Sequence, residues 1–393
     1  MHFLKLREFN LSSRLIFTYL LTVRILYFSL VPFFFVFVLE IGYSNYNASF
    51  VAIIPVLLTS VTSFFLIAVK NIFSKHAALK LSCGLFPVSF LLLIFGGHSL
   101  VIIYASAITI GFVAGIAESN SQVFFATTKD QSSKLYVIRY YIINLGALLG
   151  PLIGICIFDN FWGFWDFLIP ISTILVAIFL YFWVDKIIFE EDKQKPIFAS
   201  FTADLFFKNH LFAIAIASFF LILIAYSQVT TTFGDYFLSA LNFNASSLGY
   251  FVSAHAFIIL TVSPFLMRFF SNDKIDLLLM LGGIVMFLAF LLPLVYLTTD
   301  LDAELTVLGI LIFYTIGEIF LFPISNLLII KSRISISADI AAAYFNLTRV
   351  GLLVGPVLGV MLIEEAGFIN FVAFVSLLLA VGVFGMFKVS RNV

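Results

Sequence analysis

Two stretches of this chain are versions of one another, and each lies inside a long apolar run. The first reads Tyr140-Tyr141-Ile-Ile-Asn144-Leu-Gly146-Ala-Leu-Leu-Gly150-Pro151-Leu-Ile-Gly154. The second reads Phe345-Asn346-Leu-Thr-Arg349-Val-Gly351-Leu-Leu-Val-Gly355-Pro356-Val-Leu-Gly359. Both carry Gly-x-x-x-Gly-Pro-x-x-Gly. In lipid, small residues at this spacing let two helix backbones approach closely. The proline bends its helix, and a membrane bundle tolerates that bend. Found at matching places in two halves, the repeat points to a duplicated membrane bundle with one bent, closely packed helix per half.

The composition, 62% hydrophobic and 11% charged over 393 residues, excludes a soluble domain. Mean hydropathy is +1.15. Apolar runs long enough to cross a bilayer, separated by short polar breaks, predict twelve spans. They fall near 14–40, 47–69, 75–96, 99–124, 132–158, 162–184, 209–240, 245–270, 275–297, 302–328, 338–363 and 366–388. The first run is too long for a signal peptide and lacks a small-residue cleavage site, so it counts as a span. The expected fold is an all-α membrane protein, with twelve transmembrane helices in two pseudo-symmetric six-helix bundles. Residues 1–184 form the N-terminal bundle, 185–208 a cytoplasmic linker and 209–393 the C-terminal bundle. The linker carries Glu190-Glu191-Asp192-Lys193-Gln194-Lys195-Pro196 and reads as solvated chain. Cys83 and Cys156 both sit in apolar runs, which argues against a disulfide framework or a cysteine metal site.

Orientation follows from the cations. With both termini in the cytoplasm, the inner segments hold Lys and Arg from Lys5 and Lys75 through Lys193 and Lys331 to Arg391. The opposite loops hold none, only acids such as Glu40, Asp159, Asp300, Glu364 and Glu365. We expect the plasma (inner) membrane.

A few charges remain inside the spans: Arg24, Glu118, Arg139, Asp235, Glu318 and Arg349, with His255. A charge at the bilayer centre costs roughly 2.5–3.5 kcal/mol on insertion scales, so such groups face a cavity or each other and mark a substrate or ion path. Helical spacing adds polar neighbours to them. Tyr27 joins Arg24, Gln122 joins Glu118, and Tyr140 lies one turn from Asn144. Tyr226 and Gln228 lie on the span of Asp235, Tyr314 joins Glu318, and Asn346 joins Arg349. These twelve (Arg24, Tyr27, Glu118, Gln122, Tyr140, Asn144, Tyr226, Gln228, Tyr314, Glu318, Asn346 and Arg349) are the candidate substrate-binding residues. Glu118, Glu318 and Asp235 are the candidate proton carriers. Gly146, Gly150, Pro151 and Gly154, with Gly351, Gly355, Pro356 and Gly359, are the candidate packing surfaces that move. Several of the charges have plainer readings. Arg139 lies near the inner end of its span and would snorkel to the surface. Arg349 pairs with Glu318 or Glu118, Asp235 is a gate or an interface residue, and His255 is a packing histidine.

Twelve spans, two related halves, inner termini and a charged central linker resemble the major facilitator superfamily over essentially the whole chain. The span-five glycine–proline stretch resembles the antiporter motif of its drug–proton exchangers. Several segments are similar to its proton-coupled oligopeptide transporters: Tyr140-Tyr141-Ile-Ile-Asn144-Leu-Gly146, Gly317-Glu318 with Pro323, Tyr226-Ser-Gln228, and Val23-Arg24-Ile-Leu-Tyr27-Phe28. That resemblance implies that Arg24 meets a substrate carboxylate and Glu318 a substrate amine. The departures from those transporters are specific. Leu20 and Val23 stand where the span-one acids should be, Glu118 stands in place of the span-four lysine, and the loop two–three signature survives only as Asn71, Ser74 and Lys75.

The resulting expectation is a secondary active transporter that works by alternating access, coupled to protons, and carries a small anionic or zwitterionic organic solute. Efflux of amphipathic compounds in exchange for protons is one alternative. A peptide, amino-acid or siderophore carrier is another, and a non-transporting sensor a remote one. The sequence has no His-x-x-Glu-His, no Gly-x-Ser-x-Gly, no phosphate-cradling loop and no basic patch. We therefore expect no enzyme activity, no cofactor, no metal and no nucleic acid. The partners are the solute, protons and the lipid bilayer, and the protein is a monomer.

Overall fold

The structure, a computed structural model, describes residues 10–69, 72–96, 99–128, 133–158, 165–189, 209–230, 245–266, 274–299, 302–333 and 336–393. In chain order the helices are α1 (Leu11–Leu30), α2 (Phe34–Glu40), α3 (Asn45–Ala68), α4 (Lys75–Gly96) and α5 (Leu100–Thr127). There follow α6 (Ser133–Phe158), α7 (Trp165–Val184), α8 (His210–Thr230), α9 (Ala245–Leu266) and α10 (Ile275–Thr298). The last are α11 (Ala303–Lys331), α12 (Ala338–Leu347), α13 (Gly351–Ala366) and α14 (Phe368–Ser390). No strand occurs among the described residues. Among the described residues, ten helical stretches are long and apolar enough to cross a membrane; at the sixth and eighth expected spans the described residues form the shorter apolar helices Ile171–Val184 and Val252–Phe265. Asp235 and the linker residues 190–208 lie outside the described residues.

Local chemistry sets the breaks. The first expected span is interrupted by a 3-10 turn, Val31–Phe33. Pro32 has no N–H to donate and cannot continue the ladder. Asn10 caps α1 by accepting from the Ser13 N–H at 2.8 Å. Gly367, at φ +80°, lets the chain reverse between α13 and α14. The helix of the eleventh span is interrupted by the 3-10 turn Thr348–Val350, with Pro356 inside α13; Pro151 lies inside α6, which has no such interruption.

The chain divides into two compact units. The first is Met1–Lys193, Asn244–Phe257 and Ala338–Asn346; the second is Gln194–Phe243, Ile258–Ser337 and Leu347–Val393. In the first, α1 packs on α6, and α5 packs on α3, α4 and α1. In the second, α10 packs on α11, and α8 on α13 and α14.

The glycine repeat makes one of these contacts in each unit. A Cβ built at Gly146 would lie 2.5 Å from the Arg24 Cβ, and one at Gly150 would lie 2.6 Å from the Ile25 carbonyl. Gly154 meets the Ser29 carbonyl and the Phe33 ring. In the second unit a Cβ at Gly351 would lie 2.9 Å from the Phe220 carbonyl, and one at Gly355 would lie 2.8 Å from the Ile224 carbonyl. Gly359 is buried on the same helix. The two copies of the motif thus seat spans five and eleven on spans one and seven, the same pairing in each half.

Candidate functional site

The seating of α6 on α1 builds the site in the first unit. Arg139 lies two helical turns before Gly146 on α6, and Gly146 rests against Arg24 on α1. Both guanidinium groups therefore reach α5, where Glu118 takes one on each carboxylate oxygen. Arg24 Nη2 pairs with Oε2 and Arg139 Nη2 with Oε1. Glu118 is 0% exposed, Arg24 4% and Arg139 2%. Charges this deep persist only when paired and hydrogen-bonded. Arg139 does not snorkel; it shares the Glu118 carboxylate with Arg24. The signal that could have found it is its two-turn spacing from Gly146, which puts both on one face of α6.

The cluster is not saturated. Arg24 Nε and Gln122 Nε2 are buried donors with no hydrogen-bond partner among the described residues. Gln122 is 1% exposed and lies one turn along α5 from Glu118. The Tyr27 ring centroid stands 5.6 Å from the Arg24 guanidinium carbon, and the Phe345 ring 6.0 Å from that of Arg139. Tyr140 and Asn144 are buried on α6, but the Asn144 amide donates to the Tyr140 carbonyl of its own helix at 2.9 Å. Asn346, 0% exposed on α12, donates to Ser63 Oγ at 2.6 Å.

A cavity of about 280 Å³ opens beside this cluster. It is lined by Ser63, Leu66, Ser119, Asn120 and the Lys75–Asp339 pair, among others. Ser119 and Asn120 directly follow Glu118 on α5, yet none of the three clustered ions lines the cavity.

The second unit holds an acid–aromatic group. Tyr226 Oη donates to Glu318 Oε2 at 3.0 Å. The Tyr226 ring stacks on Tyr314 with centroids 4.7 Å apart and meets Phe322 at the same distance. Glu318 is 4% exposed. Gln228 is buried and donates to the Ile224 carbonyl at 3.1 Å. Arg349 is half-buried on the 3-10 turn, and His255 is half-buried on α9. Tyr226→Phe keeps the stack and deletes only the hydroxyl. A hydrogen bond to a charged group contributes about 1.5–3 kcal/mol, so this variant should melt measurably below the wild type in detergent, as read by differential scanning fluorimetry.

The sequence profile of the Major Facilitator Superfamily matches residues 126–333, more than half of the chain. The chain belongs to this superfamily and is an integral, multi-pass membrane protein. An uncharacterized MFS-type transporter, YqjV, of Bacillus subtilis (strain 168) is 23% identical over 273 residues. The match spans 65% of this chain and 63% of that relative's length. The crystal structure of the human organic anion transporter MFSD10 (TETRAN) shares the fold with a TM-score of 0.72, at 15% identity, over 95% of this chain and 98% of that one.

Proposed function

We propose that this protein is a secondary active transporter of a small organic solute bearing an anionic group, zwitterions included. The observation that carries the reading is Arg24. Its guanidinium meets Glu118 through one nitrogen, while its Nε–H is buried with no acceptor among the described residues. One turn along α5 from Glu118, the Gln122 amide is likewise a buried donor with no partner among the described residues. Buried donors left unmade are costly, and a ligand rich in acceptor oxygens would satisfy them. A carboxylate or sulfonate does so by charge-assisted hydrogen bonds. The human protein of the same fold is described as an organic anion transporter, which agrees with this class of solute.

In this reading the chain works by alternating access between bundles 1–184 and 209–393, with the glycine–proline helices as the moving surfaces. Solute leaves the closed cluster as the protein opens, and Glu118, Glu318 or Asp235 carries the coupling proton. The protein acts as a monomer in the plasma membrane with both termini in the cytoplasm. A second reading rests on the Tyr226–Glu318–Tyr314 group. An acid flanked by aromatic faces suits an amphipathic cation, as an efflux exchanger for such compounds would require.

Uptake into proteoliposomes, measured for benzoate, benzenesulfonate and benzylammonium, separates the two. The anionic reading expects uptake of the anions that falls roughly ten- to a hundredfold in Arg24→Gln and collapses with the pH gradient. Uptake of benzylammonium alone, unaffected by Arg24→Gln, would sink the anionic reading in favour of the cationic one.

A further inference from the structure

The chain does not leave the first unit when α7 ends. Residues Asp185–Phe189 form a short strap that turns back onto the ends of α1 and α4. The Lys186 N–H donates to the Trp183 carbonyl and the Ile187 N–H to the Val184 carbonyl, both at 3.0 Å. The Ile188 N–H donates to Ser12 Oγ at 2.9 Å, and Ser12 Oγ donates to the Lys186 carbonyl at 3.4 Å. His76 Nε2 donates to the Ile187 carbonyl at 2.7 Å, and Ile187 is 2% exposed. A solvated linker would make none of these contacts. They fix the Lys186 backbone on both of its sides.

The Lys186 side chain is exposed, and its ammonium stands 4.1 Å from the Trp183 ring centroid. Beside it, Lys80 Nζ donates to Asp185 Oδ2 at 2.6 Å and stands 5.2 Å from the Tyr181 centroid. Lys80, Asp185 and Lys186 together carry one net positive charge. Lys80 is matched to Asp185, so the surplus lies on Lys186.

This charge stands at the end of an apolar stripe. Leu175, Ile178, Phe179 and Phe182 are 62%, 50%, 51% and 70% exposed, and their spacing puts them on one face of α7. Lys186 follows Phe182 by four residues and continues that face. In a membrane-spanning helix an exposed apolar face meets acyl chains, and the aromatic residues and cations at its end stand at the level of the headgroups.

We propose that this corner of the first unit binds one anionic phospholipid, with its phosphate on Lys186 and its acyl chains along the stripe from Phe182 to Leu175. A phosphodiester carries the one negative charge that cancels the surplus; a zwitterionic headgroup leaves the surplus uncancelled. Trp183 holds the ammonium by its ring face, and Ser12 holds the backbone beneath it. Little freedom is then lost when the headgroup arrives. The inference concerns a lipid on the outer face of the bundle and does not depend on which solute, if any, the protein moves.

The test is native mass spectrometry of the full-length protein in detergent, titrated with dioleoyl phosphatidylglycerol and, separately, with the phosphatidylcholine and phosphatidylethanolamine of the same chains. The first phosphatidylglycerol should bind several-fold more tightly than either zwitterionic lipid. Lys186→Gln should weaken that binding roughly fivefold and Trp183→Leu about threefold, with phosphatidylcholine binding unchanged in both. Lys388→Gln removes an exposed cation from the last turn of α14 and should change nothing. Equal weakening by Lys186→Gln and Lys388→Gln would reduce the effect to diffuse attraction and overturn the site. So would equal affinity for all three lipids, a preference for phosphatidylethanolamine, or no response to Lys186→Gln. If Trp183→Leu folds poorly, Lys186→Gln, a change at an exposed side chain, carries the decision. Because lipid binding needs no transport, this inference and the transport reading fail separately.

Discussion

Replacing Glu118 with alanine is expected to cost the folded protein about 3–5 kcal/mol. The change leaves the guanidinium groups of Arg24 and Arg139, 4% and 2% exposed, without the carboxylate between them. Burying like charges is worse than losing a contact, because each must also forgo its hydration. The signs of the charges make the prediction specific. Arg139→Met removes one cation and leaves Arg24 matched to Glu118, so it should be the milder change. Melting of the purified variants in detergent and their yield from membranes give the comparison. Should Arg139→Met be the more damaging of the two, charge balance is not what holds these three helices together.

The second large effect is steric. Gly150→Leu and Gly355→Leu should both lose about 1–3 kcal/mol or more by overpacking, since even the first added carbon falls within 2.6 Å and 2.8 Å of a neighbouring carbonyl oxygen. Those oxygens are backbone, so rotating the side chains that also crowd the sites, Phe28 and Ser227, does not relieve the clash. Gly84→Leu is the matched control, because nothing lies within 4 Å of a Cβ built there. Thermal unfolding should place the first two variants together and well below the third. A large gap between Gly150→Leu and Gly355→Leu would mean that the two halves do not use the repeat alike.

Much of this was legible before any coordinates. The glycine–proline repeat announced a pair of close helix contacts, and the structure puts α6 on α1 and α13 on α8 accordingly. Glycine spacing is a strong signal because a helix that lacks Cβ atoms along one stripe lets a neighbouring helix approach it closely there. Partnerships were harder to read. Glu118 and Arg24 were flagged as ions out of place, but which ion faces which depends on helix rotation, and one sequence does not fix that. Arg139 stays open between two readings in the sequence, because its distance from the span end suits a snorkelling side chain as well as an inward one. The strap was missed altogether. Asp185 and Lys186 look like ordinary linker charges, and the residue that anchors them, Ser12, stands at the far end of the unit's sequence. The turn at Thr348–Val350 carries no proline or glycine, so nothing local marked it. Pro32, in contrast, explains the first turn directly.

The three-ion cluster also constrains biosynthesis. When α5 emerges from the ribosome, its Glu118-Ser119-Asn120-Ser121-Gln122 segment has Arg24 already available, but Arg139 has not yet been made. A carboxylate is poorly tolerated by acyl chains. Pairing with Arg24 on α1 therefore lets Glu118 enter without an unmatched charge, and it is Arg139, on the later α6, that needs a carboxylate already in place.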